Sequence, residues 1–125
     1  MKTKKRILFV EDSPVVRAQF KDLFENEFGF DLIEQPNGNQ AIQFLNKTPE
    51  IDAAILDIMM IGHGGSVRNV LKSHPVYHKI PIIYHTSLDR EQIDPNILDG
   101  SKYFSKSVKS PKEIINYLKT IFDKE

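Results

Sequence analysis

The chain has 125 residues, 40% of them hydrophobic and 27% charged, with 17 basic side chains against 17 acidic ones and no cysteine. That size and mix fit one compact domain over residues 1–125 and exclude a disordered chain. Zero net charge removes any global electrostatic reason to bind nucleic acid or an anionic membrane, and the lack of cysteine removes disulfides and thiolate metal sites.

The basic start, MKTKKR, runs into a strand-like segment rather than a signal-peptide core. Apolar runs reach only about four residues, far short of the ~20 that a membrane span needs, so a cytoplasmic setting is expected. Residues 6–10 (RILFV) form a continuous apolar run, the mark of a strand buried on both faces of a parallel sheet. Ser13-Pro14 then open a helix, since serine caps and proline suits the first helical position. Val16, Phe20, Leu23, Phe24 and Phe28 recur at helical spacing, and Gly29 ends the helix. FDLIEQ (30–35) predicts a second strand, Asn37-Gly38-Asn39 a turn, and Ala41, Ile42, Phe44 and Leu45 a short helix. DAAILDI (52–58) predicts a third strand. A glycine-rich turn over residues 62–65 leads to a helix carrying Val67, Val70 and Leu71, which Pro75 breaks. PIIYHT (81–86) predicts a fourth strand. Segment 88–98 contains Pro95 and little apolar periodicity, so its helix is expected to be short or irregular. SKYFSK (101–106) predicts the fifth strand. SPKE (110–113) reads as a helix opening with a serine cap, an early proline and a glutamate placed for a capping box; Ile114, Ile115, Leu118, Ile121 and Phe122 supply its apolar stripe. Five alternations of strand and helix predict a doubly wound five-stranded parallel sheet with helices on both faces.

In such a sheet, ligands collect at the carboxyl ends of the strands. Glu11 and Asp12 follow the first strand, Asp57 closes the third, Thr86 and Ser87 end the fourth, and Lys106 follows the fifth. Three carboxylates on one edge repel each other unless a cation sits among them. Hard oxygen donors favour magnesium, which takes one or two carboxylates, keeps several waters and leaves room for a phosphoryl oxygen. An aspartate beside such an ion is a nucleophile suited to forming an aspartyl phosphate. Thr86 is placed to donate to one phosphoryl oxygen and Lys106 to pair with another.

VEDS (10–13), LDIMM (56–60), the threonine of YHTS (84–87) and YFSK (103–106), in this order, resemble the receiver domain of two-component response regulators, across essentially the whole chain. The resemblance implies a flavodoxin-like (βα)5 fold with strand order 2-1-3-4-5. It implies Asp57 as phosphoacceptor, with Thr86 and Lys106 contacting the phosphoryl group. Mg2+ would be held directly by Asp12, mainly through water by Glu11, and by Asp57 and the backbone carbonyl of Met59. Thr86 and Tyr103 take the switch positions, acting on the face formed by helix four, strand five and helix five. The implied partners are a histidine kinase or histidine phosphotransfer protein and a downstream protein target, with no nucleic acid or membrane. The implied chemistry is limited to the domain's own phosphotransfer and autodephosphorylation.

The chain departs from the family pattern at two prolines. Ser107 stands where the family carries a cis proline, and a cis bond before any other residue costs roughly 3–4 kcal/mol. The Lys106–Ser107 peptide is therefore expected to be trans. Ile61 replaces a proline four residues after Asp57, in a glycine-rich loop. These departures motivate a rival reading, a degenerate receiver acting as a phosphorylation-independent interaction module. A hydrolase with an aspartyl-phosphate intermediate is disfavoured, because Met59 stands where such enzymes carry a second aspartate. His74 and His78 are four apart, but Pro75 interrupts them, so they read as solvated loop residues rather than metal ligands; His63 reads as an exposed loop residue.

Overall fold

A computed structural model of the chain describes residues 4–26, 29–58 and 64–124. Five strands, β1 (Lys5–Val10), β2 (Phe30–Gln35), β3 (Ala53–Leu56), β4 (Ile82–Thr86) and β5 (Lys102–Ser105), pair in parallel in the order 2-1-3-4-5. They alternate with helices α1 (Pro14–Asn26), α2 (Gly38–Leu45), α3 (Gly64–Ser73), α4 (Pro95–Leu98) and α5 (Ser110–Phe122). The winding reverses after β2, so the crevice at the carboxyl ends of β1 and β3 is the switch point of the sheet.

Successive strand side chains face opposite ways. Ile7, Phe9, Ala53, Ile55 and Ile83 therefore share one face with Phe20 and Phe24 of α1 and with Ile114, Ile115 and Leu118 of α5. Leu8, Val10, Ala54, Leu56 and Tyr84 share the other with Ala41 and Leu45 of α2 and Val67 and Leu71 of α3. Burial on both faces is why the central strands read as continuous apolar runs. A ladder of rings ties the first layer together: Phe9 lies 4.3 Å from Phe20, Phe20 6.0 Å from Phe24, and Phe24 5.8 Å from Phe30.

Four details differ from the expected elements. β3 is shorter than residues 52–58: Asp52 precedes it, its N–H donating to Arg6 O at 2.8 Å and its carboxylate accepting the Arg6 N–H at 2.7 Å, and Asp57 follows it. Residues 37–39 are no free turn: Asn37 caps α2 by accepting from Gln40 N at 2.8 Å, and Gly38 is already helical. Asn37→Ala is expected to cost about 1 kcal/mol in urea denaturation. Gly64 and Gly65 likewise belong to α3 rather than to a turn before it. Ser110 does not cap α5. Lys109 holds the N-cap position without a side-chain bond, and Ser110 is a fully buried first-turn residue.

The segment before β5 is short and irregular as expected, with a 3-10 turn at Arg90–Gln92 ahead of the four-residue α4. Its carbonyls are held from a distance. Arg68 of α3 donates to Ile97 O at 3.0 Å and to Asn96 O at 3.1 Å, and the Tyr84 hydroxyl donates to Ile97 O at 3.1 Å. Phe28, expected on the apolar face of α1, lies outside the described residues. No described helix is long and apolar enough to cross a membrane.

Candidate functional site

The carboxyl ends of four strands deliver the site. The N–H of Glu11 still donates to Gln35 O at 3.1 Å, a last rung beyond β1, which fixes Glu11 at the sheet edge. Its neighbour Asp12 is exposed at the rim. Asp57 follows β3 and is 4% exposed; Thr86 ends β4 and is fully buried. The N–H of Lys106 donates to Thr86 O at 2.8 Å, so the lysine leaves β5 directly beside the end of β4.

Glu11, Asp57 and Lys106 meet there. Lys106 Nζ lies 2.6 Å from Asp57 Oδ2, 3.0 Å from Glu11 Oε1 and 3.4 Å from Glu11 Oε2. Glu11 is held further by the Ser13 N–H, which donates to Oε2 at 3.1 Å, and by Arg17, which donates to its carbonyl at 2.8 Å. Burial raises the pKa of Glu11, against the lowering effects of the Ser13 N–H and of Lys106; the adjacent Asp12 pushes it up as well. Burial pulls the Lys106 ammonium down, but its bonds to Asp57 and Glu11 outweigh this and leave its pKa above the ordinary lysine value.

One ammonium thus serves two buried carboxylates, with a third acid at the rim. Glu11 Oε1 is buried and accepts no hydrogen bond despite its ionic contact with Lys106. Among the described residues, an all-oxygen donor set in which a buried carboxylate oxygen accepts no hydrogen bond fits a hard divalent cation that keeps its waters. Among the described residues no three His, Cys, Asp or Glu side chains form a ready-made metal cage, and magnesium, which needs only one or two carboxylates, does not require one. Met59, expected to add a backbone carbonyl, and Ile61 and His63 lie outside the described residues.

The remaining site residues are turned to local partners. Thr86 Oγ1 accepts from the Leu88 N–H at 3.2 Å. Tyr103 is half-buried, its ring against the Tyr84 side of the core and its hydroxyl 3.2 Å from Ser105 Oγ. The Lys106–Ser107 peptide is trans, as no described peptide bond is cis. His74 is half-buried rather than solvated; its Nδ1 accepts from the Val76 N–H at 3.0 Å, and its ring lies 4.4 Å from that of Tyr77. His78 is exposed, its Nδ1 3.1 Å from His74 O.

Two buried polar residues beside the site escape a reading of spacing alone. His85 is 2% exposed and Ser110 fully buried, and His85 Nε2 lies 2.8 Å from Ser110 Oγ. The one available signal is a histidine inside the apolar strand PIIYHT.

The strand order and the carboxylate pocket at its switch point define a flavodoxin-like α/β fold. The sequence matches the response regulator receiver domain over residues 7–119, and the chain belongs to that family. A curated relative, the 3',5'-cyclic-nucleotide phosphodiesterase regA of Dictyostelium discoideum, is 28% identical over 106 residues, covering 82% of this chain and 13% of that protein. The chain therefore spans about an eighth of that relative's length. Among solved structures, the Francisella response regulator 1452 receiver domain superposes with a TM-score of 0.77 at 23% identity, covering 97% of this chain and 98% of that one. The chemotaxis response regulator CheY4 of Vibrio cholerae gives 0.80 at 19% identity, covering 95% and 99%. A Mn(2+)-bound form of response regulator Rcp1 gives 0.77 at 22% identity, covering 94% of each chain. These likenesses show the fold.

Proposed function

We propose that this domain is a phosphorelay receiver in which Asp57 takes a phosphoryl group, with Mg2+, from a histidine kinase or histidine phosphotransfer protein. The observation that carries the reading is the Lys106 ammonium, 2.6 Å from Asp57 and shared with the buried Glu11. A carboxylate oxygen of Asp57 forms the bond to phosphorus while the bond to the donor's histidine nitrogen breaks, and that nitrogen leaves with the electron pair. Lys106 is placed to offset negative charge on the phosphoryl oxygens throughout. Glu11 and Asp12, with Asp57 itself, are the residues that would hold Mg2+, whose contribution when bound is to neutralise those oxygens.

Thr86 is the internal reporter. Its hydroxyl now accepts from Leu88 and has its proton free to turn to a phosphoryl oxygen. That turn would draw the end of β4 inward and let the Tyr103 ring follow, biasing the surface of α4, β5 and α5 toward a downstream protein.

The test is incubation with phosphoramidate and Mg2+, followed by intact mass. One added phosphoryl group is expected on the wild-type chain and none on Asp57→Asn. An adduct that persists in Asp57→Asn would remove Asp57 from the role. A wild-type chain that gains nothing, yet binds a partner equally well as Asp57→Asn, would instead be a phosphorylation-independent interaction module.

A further inference from the structure

The loop between β5 and α5 carries Lys106, yet little packing holds it. Val108 is 96% exposed. A cavity of about 260 Å³ lies under the loop, lined by Phe20, His85, Lys106, Ser107, Val108 and Ser110. The loop is instead fixed by hydrogen bonds that converge on one hydroxyl. Ser110 Oγ donates to Ser107 O at 2.9 Å and accepts from the Ser107 N–H at 3.1 Å. A hydroxyl has one proton and two lone pairs, so the remaining lone pair takes the His85 Nε2–H at 2.8 Å. The Nε2–H tautomer suits the ring best, because the buried Nδ1 has no partner to take a proton. The ring itself is held against Phe20 of α1, edge to face at 5.0 Å. Lys109 N–H adds a bond to Ser107 Oγ at 3.2 Å.

We propose that His85 and Ser110 position Lys106: imidazole, hydroxyl and both backbone polar groups of Ser107 form one chain that sets where the lysine leaves the sheet. This rests on the reading of Asp57 as phosphoacceptor. The Ser107 backbone is the residue next to Lys106, so a shift of that peptide moves the lysine Cα and with it the reach of Nζ to Asp57. Small misplacements of a charge-bearing group cost large factors in rate. The network does locally what a fixed proline ring would do at position 107, by bonding both ends of the residue instead of locking its φ.

The test measures the initial rate of phosphorylation of the full chain by phosphoramidate with Mg2+. Ser110→Ala and His85→Phe are each expected to slow it by about 5- to 10-fold, and His85→Gln, which keeps a side-chain N–H, to return it to within about 2-fold of wild type. In a Lys106→Ala background, neither change is expected to slow the residual rate further. Amide exchange at Lys106 and Ser107, followed without phosphodonor, is expected to quicken in Ser110→Ala and His85→Phe and to recover in His85→Gln. Melting curves identify a variant that has not folded; should Ser110→Ala be one, the two His85 variants carry the comparison. Wild-type rates and exchange in the folded variants, or equal slowing with and without Lys106, overturn the positioning role alone. A wild-type chain that takes no phosphoryl group overturns the phosphoacceptor reading and this inference with it.

Discussion

Lys106→Ala is expected to destabilise the fold by about 3 kcal/mol at pH 7 and to slow phosphorylation of Asp57 by roughly 100-fold. The stability effect follows from what the lysine leaves behind. Asp57 and Glu11 are both almost fully buried, and Nζ lies within 3.0 Å of each. Without the ammonium, two carboxylates face each other in low dielectric, and burial already favours the protonated form of Glu11. Its folded-state pKa then lies further above its unfolded value than in the wild type. A group of that kind adds stability that is present at low pH and lost as pH rises through the folded pKa. Lys106→Ala should therefore regain stability relative to wild type as pH falls from 7 toward 5. Millimolar Mg2+ should likewise recover more stability in the variant than in the wild type, since a cation that binds only the folded state stabilises it by mass action. Urea denaturation at pH 5, 6 and 7, with and without Mg2+, reads all three effects. A loss that is the same at every pH and indifferent to Mg2+ would mean that the carboxylates do not depend on the lysine.

The parts of this architecture that were legible in the sequence share a physical cause. β1, β3 and β4 are buried on both faces, so nearly every side chain in them must be apolar, and polar residues stand out where the chain leaves the sheet. Glu11 and Asp57 were visible for that reason; Lys106 follows the half-exposed β5 and was legible only through its place after the fifth strand. The parts that were not legible depend on partners far away in the chain. The SPKE opening of α5 has the composition of a capping box, but the Ser110 hydroxyl is used by Ser107 and by His85, 25 residues upstream. Tertiary bonding outcompeted the local cap. α4 carries little periodicity of its own because Arg68 and Tyr84, 29 and 13 residues before Ile97, supply the bonds that hold it. Asn37-Gly38 suits both a turn and a helix start. The capping bond to Gln40 decides for the helix, and composition does not distinguish the two.

His85 supplies the second large effect, a dependence of stability on pH that one substitution should remove. Burial, and after it the charge of Lys106, lower its pKa from 6.5 to about 4 against an opposing pull from Asp57. The groups around the ring are Phe20 from α1, Ser110 from α5, Lys106 from the loop after β5 and Asp57 from the end of β3. Only the last two are charged, and they act in opposite directions. The folded chain thus holds a neutral imidazole where the unfolded chain takes a proton. The corresponding stability is complete above pH 6.5, falls as pH drops through 6.5 toward 4, and is flat below that. The gap between the two values corresponds to about 3 kcal/mol. Glu11 titrates in the opposite sense over an overlapping range, so the wild-type curve alone does not isolate the histidine. The difference between wild type and His85→Gln does, because Glu11 is common to both. Urea midpoints from pH 7.5 down to 4 should show the wild type losing about 3 kcal/mol more than His85→Gln. Parallel curves would mean that His85 takes its proton at the same pH in the folded and the unfolded chain, and the fold would then not hold a buried neutral imidazole.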